Sequence, residues 1–174
     1  MCSAGAMDGL VWSDGLLDEA RQVRARVATA LSGLGLPGEV ELIGGLSVPG
    51  ALTKGDVDLH LRVRAKDFGD VVSRLRDVLP VASPHAWAAT LAVFEVPGSI
   101  PTGLAVTPHG SEHDARFRLA WERLRADPSL LDEYNALKSD SVGTAGYEES
   151  KSRFFSALAT PATDARGWAR PTES

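Results

Sequence analysis

The chain has 174 residues, enough for one domain with a sizeable buried core. Apolar residues make up 44% of it and charged residues 24%, which is ordinary for a globular protein that folds in water. The formal net charge of −5 argues against a general nucleic-acid binder, which usually carries a basic excess, so nucleic acid is not an expected partner.

The sequence shows no pattern typical of secretion or of insertion into a membrane. Its single cysteine, Cys2, cannot form a disulfide within the chain, which is typical of a reducing compartment. The first ten residues lack a basic segment followed by a long apolar run, so we expect no signal peptide. No stretch approaches the ~20 consecutive apolar residues of a membrane-spanning helix. We therefore expect a cytoplasmic protein without a membrane partner.

Apolar periodicity predicts helices and strands in alternation. Apolar residues at steps of three and four predict a helix over 14–33, which Ser13 or Asp14 could cap. A β-branched run and a strictly alternating run predict strands over 39–45 and 56–63. The later predicted elements are a helix over 65–80, strands over 89–96 and 102–107, and helices over 111–126, 128–138 and 147–159.

This order of elements predicts the fold class. Strands that follow each other closely, with helices collected near the C-terminus, are typical of an α+β fold in which a small mixed sheet carries flanking helices. We expect one domain over 12–158. The segments 1–11 and 159–174 are expected to be flexible or loosely packed.

A glycine pair precedes an acidic strand in the segment 39–63. Residues two apart on a strand share a face, so alternate polar residues point away from the core while the valines and leucines between them point into it. The polar residues are Asp56, Asp58, His60 and Arg62. They are either the solvated face of an amphipathic strand or a functional site beside Gly44 and Gly45.

The chemistry of these residue types suits a nucleoside triphosphate. Glycines let the backbone approach phosphate oxygens, and successive N–H groups can form an anion-binding nest. Two carboxylates about 7 Å apart on one strand face can hold Mg²⁺, which takes oxygen ligands and keeps other positions for water and phosphates. Such ions stabilise the charge that develops during nucleotidyl or phosphoryl transfer.

The run "VELIGGLSVPGALTKGDVDLHLRV" resembles two known patterns. Its "IGG" followed by "DVDL" is similar to the signature of the nucleotidyltransferase superfamily. The whole run resembles the GrpB family more closely, which typically shows "HIGSTSVPGL", then a lysine, then an apolar strand carrying aspartate. The segments "LRADPSLLDEYNALK" and "YEESKSRFF" also resemble that family, so the resemblance covers most of residues 12–158.

The chain departs from the GrpB pattern at several positions. Leu42 stands where the family has histidine, and Gly45-Leu46 stand where it has Ser-Thr. Ala120-Trp121-Glu122 stand where it often has Phe-Arg-Asp. These departures support the alternative of a degenerate site.

The resemblance implies a nucleotidyltransferase-like fold and activity. The enzyme would transfer a nucleotidyl group from a nucleoside triphosphate, with Mg²⁺, to a hydroxyl or carboxylate of a small-molecule acceptor. The alternative is a catalytically degenerate module that binds a nucleotide or metabolite, with a link to coenzyme A metabolism as one option. A third alternative is an unrelated α+β domain with an exposed acidic strand.

Two metal pairs are open at this point. The superfamily spacing pairs Asp56 with Asp58, whereas the GrpB register pairs Asp58 with His60. Two carboxylates suit Mg²⁺ better than a carboxylate and an imidazole, so we favour the first pair. The superfamily often uses a third carboxylate as base toward the acceptor, and Glu95, the only acid in the two following strands, is the candidate for that catalytic role. The alternative is an end-of-strand residue that turns to solvent.

The resemblance also implies the nucleotide contacts. Gly44, Gly45 and Ser47 are expected to contact phosphates. Lys54, which matches the family lysine, and Arg62 are expected to neutralise them. The alternatives are a solvated loop lysine and an arginine that pairs with the nearby acids.

Two tyrosine–lysine pairs occur on the predicted late helices. Tyr134 with Lys138, and Tyr147 with Lys151, are four residues apart, so each pair shares a helix face. They could line an acceptor or base pocket; the alternative is a tyrosine that packs under a surface lysine. The chain has no P-loop, no dinucleotide-binding fingerprint and no serine-nucleophile elbow.

Overall fold

A computed structural model describes residues 9–141 and 143–160, with Ser141 described by its backbone alone. Its elements are six strands and five α-helices, joined by short 3₁₀ turns. In chain order they are β1 (Val11–Trp12), α1 (Leu17–Gly33), β2 (Glu39–Ile43), β3 (Leu52–Thr53), β4 (Val57–Val63), α2 (Phe68–Arg76), β5 (Ala92–Glu95), β6 (Thr102–Pro108), α3 (Glu112–Ala126), α4 (Pro128–Ser141) and α5 (Tyr147–Ala159).

A four-stranded mixed sheet in the order β2-β4-β6-β5 organises the molecule. The two central strands, β4 and β6, are parallel, and each outer strand is antiparallel to its neighbour. A parallel pair needs a long crossover, which here contains α2 and β5. β1 and β3 form a separate two-stranded ladder. The predicted α+β class with a mixed sheet is therefore confirmed.

One face of the sheet packs against α1 and α2. The valines and leucines of β4 are at most 1% exposed, and they join Phe94, Leu104 and Val106 in one apolar cluster. The helix residues of this cluster include Val23, Val27, Val71 and Leu75, which recur at helical spacing. Each such side chain contributes roughly 1.5–3 kcal/mol when it leaves water. The predicted core face of β4 is confirmed.

The other face of the sheet is covered by the C-terminal helices. An aromatic cluster of Trp121, Tyr134, Phe154 and Phe155 packs between α3, α4 and α5, with ring centres 4.9–6.1 Å apart. His60 on β4 is fully buried, and the Phe117 ring meets it edge-on. The interpretation of this strand face as solvated is therefore wrong, because a second layer of helices lies on it.

The start of α1 differs from the sequence-based expectation. α1 begins at Leu17 without a side-chain cap. The Ser13 hydroxyl instead donates to the Val48 carbonyl at 2.6 Å, and the Asp14 carboxylate accepts from the Gly50 N–H at 2.8 Å. These two side chains tie the N-terminal segment to the loop that follows the glycine pair, which their local sequence could not reveal.

Other element boundaries are shorter than predicted. The predicted helix over 65–80 contains a 3₁₀ turn at Ala65–Asp67 before α2. The predicted strand over 89–96 shortens to β5 because Leu91 and Ala88 bond to each other across a tight turn. In the part of the chain that is described, no helix is long and apolar enough to cross a membrane. Most of the termini predicted to be loose, residues 1–8 and 161–174, lies outside the described residues.

An ion-pair network fixes α3 to the end of β4. The Arg62 guanidinium donates to the Asp114 carboxylate at 2.6 and 3.1 Å and to Glu41 at 3.2 Å. Asp114 is 2% exposed and also accepts from the Gly110 N–H. Burial alone would raise the pKa of Asp114, but the bonds from Arg62 and Gly110 outweigh it and lower that pKa. Asp114 is therefore a buried charge that depends on Arg62.

We predict that Arg62→Met destabilises the protein by about 3–5 kcal/mol, because it leaves the Asp114 carboxylate buried without its cation. Arg64→Met is the matched control, since Arg64 is exposed and pairs with Asp67 three residues away, a type of contact worth about 1 kcal/mol or less. Urea unfolding at pH 7 measures both variants. Equal losses for the two would contradict the network's role.

Candidate functional site

The turn after β2 brings the backbone against an acidic side chain. Gly44 has φ of +75°, which disfavours any residue with a Cβ, and the Ser47 hydroxyl donates to its carbonyl at 2.7 Å. A Cβ added at Gly44 would overlap the Asp58 carboxylate. A Cβ on Gly45 would lie 3.1 Å from the Tyr134 hydroxyl. Gly44 is therefore required by the close approach of Asp58, and Gly45 fits tightly against Tyr134.

Asp56 and Asp58 lie at the start of β4, beside that turn. Asp58 is paired in register with Ile43 on β2 and Gly103 on β6, whereas Asp56 precedes the strand and is exposed. Burial raises the pKa of Asp58 to about 6, and the neighbouring Asp56 charge acts in the same direction. The site thus holds two interacting carboxylates, one partly buried and one open to water.

Three lysines surround this acidic pair. Lys138 on α4 lies with its Nζ atom 5.2 Å from the centre of the Tyr134 ring. Lys151 on α5 and Lys54 in the loop before β4 lie 5.8 and 5.3 Å from the centre of the Tyr147 ring. The charges of Lys138 and Lys151 oppose the rise in the pKa of Asp58, and the Tyr134 hydroxyl lies against Gly45, so the predicted tyrosine–lysine pairs converge on the glycine turn and the aspartates.

Lys138 is a buried lysine. Its residue is 7% exposed, so the alternative of a tyrosine packing under a surface lysine is wrong for this pair. Burial lowers the pKa of Lys138 to about 8; Lys151 acts in the same direction, and Asp56 and Asp58 oppose it. Positive charge is thus held near the aspartates by tertiary packing.

A cavity of about 510 Å³ opens beside Asp58. It lies between the sheet and the helices α3 and α5. Gly103 and Ala105 on β6 and Val93 on β5 form its floor, and these small side chains leave the space that larger ones would fill. Arg116, Phe117 and Phe155 are among the helix residues that line it. The acidic pair therefore adjoins a pocket of small-molecule size.

His60 and Arg62 lie further along β4 and are engaged elsewhere. The His60 Nε2 atom is 2.7 Å from the Thr107 hydroxyl, and burial lowers its pKa to about 4, so the ring is neutral at pH 7. Arg62 makes the ion pairs with Asp114 and Glu41 described above. Neither is brought into a cluster with Asp56, and residues 9–160, as far as described, contain no group of three or more potential metal ligands.

Ser47 lies in the glycine turn, whereas Glu95 lies on β5, away from the cavity. The Ser47 hydroxyl closes the glycine turn and accepts from Arg125 at 3.1 Å. Glu95 is exposed and pairs with Gly103, which itself pairs with Asp58. This register puts Glu95 on the same sheet face as Asp58, two strands or about 10 Å away. Glu95 is not a cavity-lining residue.

Several site residues carry no signal in the sequence. Glu148 and Ser152 on α5, and His113 and Arg116 on α3, line the cavity without any motif that marks them. They reach it because α3 and α5 fold onto the sheet through the aromatic cluster. Helix periodicity identifies their helices as amphipathic, but it does not identify the sheet face that they cover.

We predict that Gly44→Ala is far more damaging than Gly35→Ala. Both glycines have positive φ, so both variants carry a backbone cost of about 1–2 kcal/mol. Only Gly44 adds a clash with Asp58, which should cost about 1–3 kcal/mol more, while Gly35 has open space around it. Thermal and urea unfolding measure both. Equal losses would contradict this account of the turn.

We predict that Asp58→Asn stabilises the protein at pH 8 by up to about 3 kcal/mol. The pKa of Asp58 rises from 3.8 in the unfolded chain to about 6, so the folded state retains a proton that the unfolded chain loses. Wild-type stability should fall as pH rises from about 4 to 6, and then stay level with respect to this group.

Unfolding of both proteins at pH 4 and pH 8 measures this effect. The difference between wild type and Asp58→Asn should shrink toward zero at pH 4. Asp70→Asn, which changes an exposed carboxylate, should differ little from wild type at either pH. A stabilisation by Asp58→Asn that is equal at both pH values would contradict the assigned cause.

Comparison with known proteins places this architecture in a family. The family model described as GrpB protein matches residues 12–160. A UPF0157 protein of Vibrio cholerae is 30% identical over 121 residues, which are 67% of this chain and 63% of that protein. The chain thus spans somewhat less than two thirds of the length of this relative. The crystal structure of conserved protein GrpB from Enterococcus faecalis superposes with a TM-score of 0.64 at 15% identity, covering 86% of this chain and 96% of that one.

The structural likeness is one of fold alone at this level of identity, whereas the family match spans nearly all of the described residues. The chain belongs to the GrpB family.

Proposed function

We propose that this protein binds a nucleoside triphosphate with Mg²⁺ at the turn that contains Gly44 and Gly45, beside Asp58, and transfers a nucleotidyl group to a small-molecule acceptor. One observation carries the proposal: Asp56 and Asp58 lie beside the glycine turn, with Lys54, Lys138 and Lys151 around them. Such a site combines carboxylates that can bind a metal ion, a backbone that phosphates can approach, and lysines that can neutralise them.

The donor set fits Mg²⁺. Mg²⁺ prefers oxygen ligands and is usually held by one or two carboxylates together with substrate phosphates, so Asp56 and Asp58 would suffice. The raised pKa of Asp58 indicates a carboxylate whose burial is incompletely compensated within the chain, and a divalent cation would compensate it. When bound, the ion would supply charge stabilisation to the transferring phosphoryl oxygens.

The lysines and the turn suit the triphosphate. Lys138 and Lys151 come from helices on one side of the acidic pair, and Lys54 comes from the loop before β4. Their positive charges would offset phosphate oxygens that the two aspartates would otherwise repel. The backbone at Gly44 and Gly45 carries no side chain that would keep phosphates away.

The reaction transfers one phosphorus group. An oxygen of the acceptor attacks the α-phosphorus and forms a new P–O bond, the bond from the α-phosphorus to the bridging oxygen breaks, and pyrophosphate leaves. A hydroxyl acceptor must also give up its proton, and Glu95, on the same sheet face as Asp58, is the predicted base. A carboxylate acceptor has no proton to lose and would form an acyl nucleotide.

A second function is binding without turnover. The exposure of Glu95 and its absence from the cavity lining favour this candidate, because the base would then be missing. The substitutions at Leu42, Leu46 and Trp121 relative to the GrpB pattern point the same way. Such a protein would keep the nucleotide site and use it as a sensor or carrier.

Calorimetric titration with ATP, GTP, CTP and UTP, with and without Mg²⁺, tests nucleotide binding. We expect at least one to bind in a Mg²⁺-dependent way, and we expect Asp58→Asn to weaken it at least 10-fold through loss of a metal ligand. Lys138→Met should weaken it by a similar factor, whereas Lys66→Met, a change at an exposed lysine past the end of β4 opposite Asp58, should not.

The results separate the two candidates. Absence of Mg²⁺-dependent nucleotide binding by the wild type would refute both. Binding that Asp58→Asn leaves unchanged would refute the metal assignment. Release of pyrophosphate with a panel of hydroxyl and carboxylate acceptors would establish transfer, and binding without it would favour the sensor or carrier.

A further inference from the structure

The cavity has two chemically different ends. Asp58, Gly44 and Lys151 line it at the glycine turn. His113 lines it near the opposite edge of the sheet, where its Nδ1 atom lies 2.8 Å from the Thr90 hydroxyl beside β5. Thr90 adjoins Leu91, which lies two residues before Val93, and Val93 pairs with Ala105, two residues past the Gly103 that pairs with Asp58. This end therefore lies four residues, or about 13 Å, further along the strands than Asp58.

The middle of the cavity is apolar. Ala105 and Val93 form its floor, and Phe117, Trp121 and Phe155 line it from the helices. Only small residues of β6 face the cavity, because Gly103 and Ala105 point toward it while Leu104 and Val106 point into the apolar cluster on the other face of the sheet. A flat apolar group would replace water there without losing hydrogen bonds.

Arg116, one helical turn after His113 on α3, supplies positive charge to the cavity lining. Its side chain lines the cavity, and one of its N–H groups donates to the Ser156 hydroxyl at 3.2 Å. Among the residues that the structure describes, no carboxylate pairs with Arg116. A guanidinium has five donors in a fixed fork that matches a carboxylate or phosphate, so most of its donors remain for a ligand.

We infer that the cavity binds a small molecule with a flat apolar body and an anionic group, the anionic group on Arg116 and the opposite end of the body beside Asp58. The observations that carry this are the volume of the cavity, its apolar middle and an Arg116 guanidinium that pairs with no carboxylate among the described residues. Relying on the proposed function, we take this molecule to be the nucleotidyl acceptor, whose reacting oxygen would lie at the Asp58 end.

A matched set of naphthalene probes tests the site without nucleotide or Mg²⁺. The probes are 2-naphthoate, the neutral 2-naphthamide and the cationic 2-naphthylmethylammonium, which share one body and differ in charge. Calorimetry should show that the wild type binds naphthoate at least 10-fold more tightly than the ammonium probe. Equal affinities for the three would overturn the inference.

Variants locate the binding. Arg116→Gln should weaken naphthoate at least 10-fold and leave naphthamide within 2-fold, whereas Arg118→Gln, on the same helix but paired with Glu122, should change neither. Ala105→Phe should weaken every probe by filling the cavity, and Ala105→Leu serves where the phenylalanine variant does not fold. Unchanged naphthoate affinity in Arg116→Gln, or in the folded Ala105 variant, would overturn the inference.

Separate nucleotide titrations keep the two proposals distinct. Naphthoate binding that follows these expectations, in a protein that binds no nucleotide, would refute the proposed function and leave the anion site standing. If the protein binds nucleotide with Mg²⁺ but Arg116→Gln has the same naphthoate affinity as wild type, the anion site alone is refuted.

Discussion

A polar strand face enclosed between two layers is the constraint on which the rest of this structure depends. β4 lies inside the sheet, with α1 and α2 on one face and the C-terminal helices over the other. Its polar side chains cannot be solvated as on an ordinary amphipathic strand, so each is accommodated differently. Arg62 is paired with Asp114, His60 is neutral beside Thr107, and Asp58 lies at the open end.

These contacts give β4 two different ends: one, at His60 and Arg62, is held against α3, and the other, at Asp58, opens to the cavity. At the fixed end, the ion pair and the edge-on contact of Phe117 with His60 hold α3 on the sheet. At the open end, Gly103 and Ala105 are too small to fill the space under the helices. The cavity therefore exists because the ion pair and the His60–Phe117 contact fix α3 against the sheet, while Gly103 and Ala105 fill little of the space beneath it.

Much of the fold could be predicted from the sequence because its elements have strong periodicity. The alternation in 56–63 and the apolar stripe in 14–33 identified a strand and a helix that the structure confirms. The two-residue strands β1 and β3 were not predicted, since their pairing depends on contacts between segments about 40 residues apart. The cap predicted for α1 failed for the same reason: Ser13 bonds to a distant loop in preference to its own helix.

The candidate site divides in the same way. The sequence by itself determined that Gly44 precedes an acidic strand and that Asp56 and Asp58 can share a face, because these follow from local spacing and the period of a strand. Only the tertiary structure decided that Lys138 is buried beside them, that Arg62 pairs with Asp114, and that Arg116 lines a cavity. Those contacts join residues that are far apart in the chain. They form only when the helices pack onto the sheet, and local periodicity does not encode that packing.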